Sequence, residues 1–90
     1  DIQRSGLRGK PAPDTFVEAT RRLGTVPARC VVLEDAIAGV QAGRAGDFGL
    51  VIGVDRGGDQ AEALRRGGAD LVVTTLDDLE LGGVAPEARR

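Results

Sequence analysis

Histidine, tryptophan, tyrosine and methionine are absent from these 90 residues, and cysteine and lysine each occur once. Without histidine there is no Ser-His-Asp or Cys-His relay and no imidazole metal ligand. The single cysteine, Cys30, can form neither an internal disulfide nor a thiolate zinc site. It opens an apolar run and reads as a small hydrophobe packed inside a strand. Phe16 and Phe48 are the only aromatic residues, too few to stack nucleic-acid bases. Twelve basic and fourteen acidic side chains leave a net charge of -2, which gives no field to draw in nucleic acid or an anionic membrane. No apolar run is long enough to span a bilayer, and no charged start with an apolar core marks a signal peptide. These features together predict a cytoplasmic setting. Methionine is missing even at position 1, so the sequence is expected to be a piece of something longer.

What is present fits one small domain. Residues 30–46 read CVVLEDAIAGVQAGRAG. The short β-branched run predicts a strand at Cys30 to Leu33, the pair Glu34-Asp35 an acidic turn, and the small residues after it a helix packed closely on a sheet. Two further strands are expected at Leu50 to Val54 and Leu71 to Val73, with a helix between each pair. Strands alternating with helices predict a parallel sheet. That connectivity puts Glu34, Asp35, Asp55, Thr74 and Thr75 at the carboxyl ends of the strands, where ligands of open α/β sheets bind.

Upstream, Gly9-Lys10-Pro11-Ala12-Pro13-Asp14 holds Lys10 in a stiff, non-helical approach, because proline constrains itself and its predecessor. Pro13 and Asp14 then suit the start of a helix. Its apolar stripe is Phe16, Thr20 and Leu23, widened by Val17 and Ala19, and Gly24 closes it. Asp59 with Glu62 predicts a capping box for the helix carrying Ala61 and Leu64; Thr75 with Asp78 predicts another for a short helix carrying Leu76 and Leu79. The core is expected over 1–82, with a flexible tail at 83–90.

Two readings of the acidic pair stand at this point. Asp35 caps the following helix while Glu34 points to solvent, or the two hold a hard cation such as Mg2+, which takes a few carboxylates plus waters and substrate phosphates. Asp55 reads as a turn former. Gly39, Gly43 and Gly46 do not have the spacing of a dinucleotide-binding loop, and close packing of helix on sheet explains them better. Lys10, alone beside eleven arginines, reads either as a solvated loop charge or as a compact point charge held for a purpose.

The run Gly9 to Asp14 and the run Val32 to Gly43, in this order and at this separation, resemble the haloacid dehalogenase-like superfamily and within it the β-phosphoglucomutase-like branch of phosphatases and phosphomutases. The similarity extends over Gly9 to Leu79 and includes the Gly53-Val54-Asp55-Arg56 turn and Gly68-Ala69-Asp70. The resemblance implies a three-layer, Rossmann-like α/β core with a parallel sheet and flanking helices. It also implies Mg2+-dependent phosphoryl transfer on a small phosphorylated metabolite such as a sugar phosphate. By the same resemblance Lys10 is the catalytic lysine that binds the transferring phosphate, Asp35 is a metal ligand, and Glu34 is the acid that supports the metal directly or through water. The Asp-x-Asp-Gly motif of the family's nucleophile occurs nowhere in the sequence, nor does its Ser/Thr motif or its helical cap. The chain is therefore expected to be the C-terminal part of such an enzyme, inactive alone, with an apolar sheet edge that promotes self-association. The alternative is a non-catalytic α/β interaction module that keeps the scaffold.

Overall fold

The computed structural model describes residues 6–78. The first residues of the expected N-terminal loop, Leu79 and the expected tail at 83–90 lie outside the described residues.

Among the described residues three helices and three strands follow in order: α1 (Asp14–Arg22), β1 (Val31–Glu34), α2 (Ile37–Ala45), β2 (Leu50–Val54), α3 (Ala61–Gly67) and β3 (Leu71–Val73). Short 3-10 turns occupy Pro27–Arg29 and Leu76–Asp78. The sheet is parallel in the order β1-β2-β3, with Val32 opposite Val51 and Gly53 opposite Val72. This is the α/β arrangement expected from the alternating pattern. β1 begins one residue later than expected, because Cys30 closes the preceding 3-10 turn by donating its N–H to the Pro27 carbonyl. Cys30 therefore sits just before the strand, half-buried against the core.

β2 is the central strand and is buried along most of its length, which is why it is the most continuously apolar. α2 lies on Val32 and Val51 through Gly43: a Cβ there would stand 3.1 Å from Val51 Cγ2 and 3.2 Å from Val32 Cγ1. Val40 and Leu64 fill the space between the helices and the sheet, and both are fully buried. Burying side chains of this size supplies about 1.5–3 kcal/mol each. At the amino end of the sheet Arg44 donates to the Gly68 carbonyl and to Asp70 Oδ1 (2.6 Å), while Asp70 Oδ2 accepts the Val51 N–H. One guanidinium thus ties α2 to the entry of both β2 and β3.

Two expectations about local structure need correction. Leu23 does not join the buried stripe of α1 but is 79% exposed, since the end of this helix flanks the unpaired side of β1 and nothing among the described residues packs there. The Asp59–Glu62 capping box does not form. The N-cap of α3 is Gln60, without a side-chain cap of its own, and the buried Asp55 at the end of β2 does the work instead. Its Oδ1 accepts the Gly58 N–H and its Oδ2 the Gln60 N–H, both at 3.0 Å. With Gln60 at the N-cap, Asp59 lies one residue outside the position a capping side chain would need, and the Asp55 carboxylate orders the turn that leads into α3. The second box is present in modified form: Asp78 accepts the Thr75 N–H, and Thr75 Oγ1 accepts the Asp77 N–H. No helix among the described residues is long and apolar enough to cross a membrane.

Candidate active site

Lys10 reaches the carboxyl end of β1 from a loop that is closed on itself. Arg8 grips the Asp14 carboxylate through its backbone N–H, Nε and Nη2, the last at 2.9 Å, and Ala12 N–H bonds to the Gly9 carbonyl. These contacts hold the Asp14 carboxyl below its ordinary range and fix the two ends of the loop that carries Lys10. The Lys10–Pro11 peptide is cis. The Arg8–Asp14 clamp was not foreseen from the sequence, where Asp14 read only as a complement to the dipole of α1.

The ammonium of Lys10 donates to both carboxylate oxygens of Glu34, at 3.1 and 3.2 Å. It also stands 5.2 Å from the centroid of the Phe16 ring. The Glu34 side chain is 17% exposed and Lys10 40% exposed, so the pair sits at the rim of the fold. The reading in which Glu34 points to solvent is thereby replaced. α2 makes room for the carboxylate: a Cβ on Gly39 would overlap Glu34 Oε1 and lie 2.6 Å from Glu34 Cγ. Gly39 therefore serves the acid at the strand end, whereas Gly43 serves helix packing.

Asp35 takes no part in this pair. The N-cap of α2 is Ala36, in an extended conformation with no side-chain cap, so the helix-capping reading of Asp35 fails as well. Asp35 is exposed and takes part in no hydrogen bond or ion pair among the described residues. It lines a cavity of about 210 Å³ together with Leu33, Glu34, Val54, Arg56 and Leu76. A neighbouring cavity of about 220 Å³ is lined by Asp35, Asp55, Arg56 and Gln60 among others. Arg56 borders both and has no ion-pair partner among the described residues. Sequence reasoning noticed Arg56 only as part of a turn; its position one residue past an aspartate at a strand end was the available signal. Asp55 is buried and spent on its own turn, as expected, and Thr74 and Thr75 bond to Asp78 instead of facing the cavity.

A larger concavity, about 450 Å³, runs along the unpaired side of β1 between Phe16, Leu23, Val31 and Leu33. Its lining is mostly apolar, with Thr20 and Glu34 among it, so it offers chiefly surface for packing where the smaller cavities offer charge. No three acidic, cysteine or histidine side chains converge on a common point among the described residues. Asp35 with waters and a substrate phosphate suits a hard cation, which asks for only one or two carboxylates from the protein.

Comparison with known proteins places the sequence and the fold. A family model described as haloacid dehalogenase-like hydrolase matches residues 1–47. A β-phosphoglucomutase of Mycobacterium bovis is 50% identical over 80 residues, covering 87% of this chain and 30% of that protein. A trehalose-phosphate phosphatase of the same species is 48% identical over 68 residues, covering 76% of this chain and 17% of that protein. The crystal structure of a hydrolase of this family from Deinococcus radiodurans, with bound phosphate and sodium, superposes with a TM-score of 0.73 at 42% identity, covering 83% of this chain and 34% of that one. The chain thus spans about a third or less of the relatives it matches. On the matched residues, the parallel sheet and these likenesses, the chain belongs to the haloacid dehalogenase-like hydrolases, in their β-phosphoglucomutase-like branch.

Proposed function

We propose that the chain carries the lysine- and acid-bearing half of a Mg2+-dependent phosphoryl-transfer site that acts on a small phosphorylated metabolite, such as a sugar phosphate. The observation that carries this reading is the contact of Lys10 with Glu34 across 24 residues, at the end of a parallel strand and beside the uncommitted Asp35. Lysine supplies three donors, of which two go to Glu34, leaving one for a phosphoryl oxygen. Transferring phosphoryl groups carry charge on their outer oxygens, and fixed cationic donors stabilise it without reorganisation. Asp35 would hold the metal, with Glu34 supporting it directly or through water while it orients Lys10. The metal, when bound, would neutralise charge on the phosphate. The relatives named as acting on phosphorylated sugars support the substrate class.

An attacking carboxylate in an Asp-x-Asp-Gly motif is not among the 90 residues. Phosphoryl transfer through a covalent aspartyl-phosphate needs that group, so the purified chain is expected to show no turnover. A phosphatase and mutase assay with Mg2+ checks this, and robust activity would overturn the half-site reading. Inorganic phosphate titrated against the chain, followed by 31P line width with and without Mg2+, tests the binding half. Lys10→Met is expected to weaken it about tenfold or more, as loss of a charge-assisted contact of about 1.5–3 kcal/mol requires. Equal binding by the variant would remove Lys10 from the site.

A second reading rests on the apolar concavity beside β1. We infer that this open edge pairs with another polypeptide segment, so that the isolated chain self-associates. Retention of the scaffold as a non-catalytic interaction module is the limiting case of that behaviour.

A further inference from the structure

Both aromatic rings of the chain stand in a row behind its one lysine. The ammonium of Lys10 lies 5.2 Å from the centroid of Phe16. Phe16 is met edge-on by Phe48, with centroids 5.9 Å apart and planes at 80°. Phe48 is buried in the core, packed in one cluster with Val32 and Val51 and close against the backbone of Gly46. The row therefore runs from a buried core ring, through Phe16, to the ammonium of Lys10.

We infer that Phe16 is a positioning residue for Lys10, acting through the face of its ring; the inference rests on the phosphate-binding role proposed above for that lysine. A lysine stem loses much rotamer freedom when it is fixed, and a ring under the ammonium lowers that loss before ligand arrives. Glu34 alone cannot do this without cost, since its oxygens compete with a phosphate for the same N–H donors. An aromatic face attracts the charge and takes none of those donors. Phe16 thus keeps the ammonium at the strand end whether it bonds to Glu34 or to a phosphoryl oxygen. The T-shaped contact with Phe48 fixes the ring, because edge-to-face pairs have a preferred geometry.

Because Lys10 is the only lysine, selective labelling gives one set of side-chain signals in the NMR spectrum of the 90-residue chain. In the wild type its ε-methylene protons are expected to be shifted upfield by the ring, to be inequivalent, and to show cross-relaxation with the Phe16 ring protons. Phe16→Leu keeps an apolar side chain of similar bulk against the core and is expected to abolish the shift and the inequivalence; Phe16→Tyr is expected to restore both. With inorganic phosphate as the probe, Phe16→Leu is expected to bind about 2- to 5-fold more weakly, the size of an exposed cation–ring contact. Absence of the cross-relaxation in the wild type overturns the inference without any variant, and so does an unchanged lysine shift in folded Phe16→Leu. If the wild type shows the ring effects but no affinity for phosphate, the functional reading of Lys10 falls and the ring contact stands.

Discussion

Gly39 shows how much one missing methyl group can decide. In an ordinary helix interior, alanine improves on glycine by about 1 kcal/mol. Here the added Cβ overlaps the Glu34 carboxylate, and that carboxylate carries both contacts to Lys10. Gly39→Ala is therefore expected to destabilise the chain by about 1–3 kcal/mol, as overpacking does, and to free the lysine signal. A thermal melt checks the first effect and the NMR spectrum the second; a rise in melting temperature would show that Glu34 moves aside at no cost. Glu18 illustrates a different residue-scale effect, on the surface. Hydrogen bonds from Arg21 and then Arg22 hold its carboxyl at about 2, below the ordinary 4.5. A carboxyl lowered by folding adds stability that is fully present above the unfolded value and fades as the pH falls through the folded one. Acid unfolding followed between pH 4.5 and about 2 is expected to be less pH-dependent in Glu18→Gln. Glu34 and Asp35 were legible in the sequence as members of one rim, and Lys10 joined them only through the family resemblance. The partners that fix them were not, because Arg8, Phe16 and Gly39 act through contacts that neither periodicity nor local spacing encodes.

At the level of elements, the three strands and three helices were legible because apolar runs and helical stretches alternate cleanly. Boundaries shifted where a neighbour claimed the terminal residue, as the 3-10 turn claims Cys30. The failed capping box at Asp59 has the same origin: the N-cap falls one residue later, at Gln60, whose N–H is held by a carboxylate five residues upstream, buried at the end of β2. Asp55→Ala is expected to cost about 1–2 kcal/mol, the usual loss for a capping carboxylate, and to loosen α3 before the rest of the fold. Amide hydrogen exchange resolved by residue checks the order, and uniform loss of protection would contradict it. Asp59→Ala, by contrast, is expected to leave stability within about 0.5 kcal/mol. Leu23 was misassigned to a buried stripe because helical spacing identifies a face without saying whether anything lies opposite it. Residues on β1 repeat the lesson: Val31 and Leu33 remain 46% and 43% exposed on a strand whose composition reads as interior.

For the molecule as a whole, the open side of β1 is the dominant liability. A strand whose outer side has no partner among the described residues, with half-exposed Val31 and Leu33, is a template for pairing. Light scattering across a concentration series is expected to show growth in mass, and Leu33→Lys is expected to suppress it, since edge lysines oppose such pairing. A monomer at every concentration would show that the edge is protected. The sheet also divides labour between its two ends. Lys10, Glu34, Asp35 and Arg56 gather at one, while the Arg44 guanidinium, bonded to Gly68 and Asp70, closes the other. That far brace gives the molecule a place where durability can be tuned in isolation: exchanging Arg44 or Asp70 alters how firmly the scaffold is stitched, and the charged groups at the opposite rim inherit the change only as tolerance to heat.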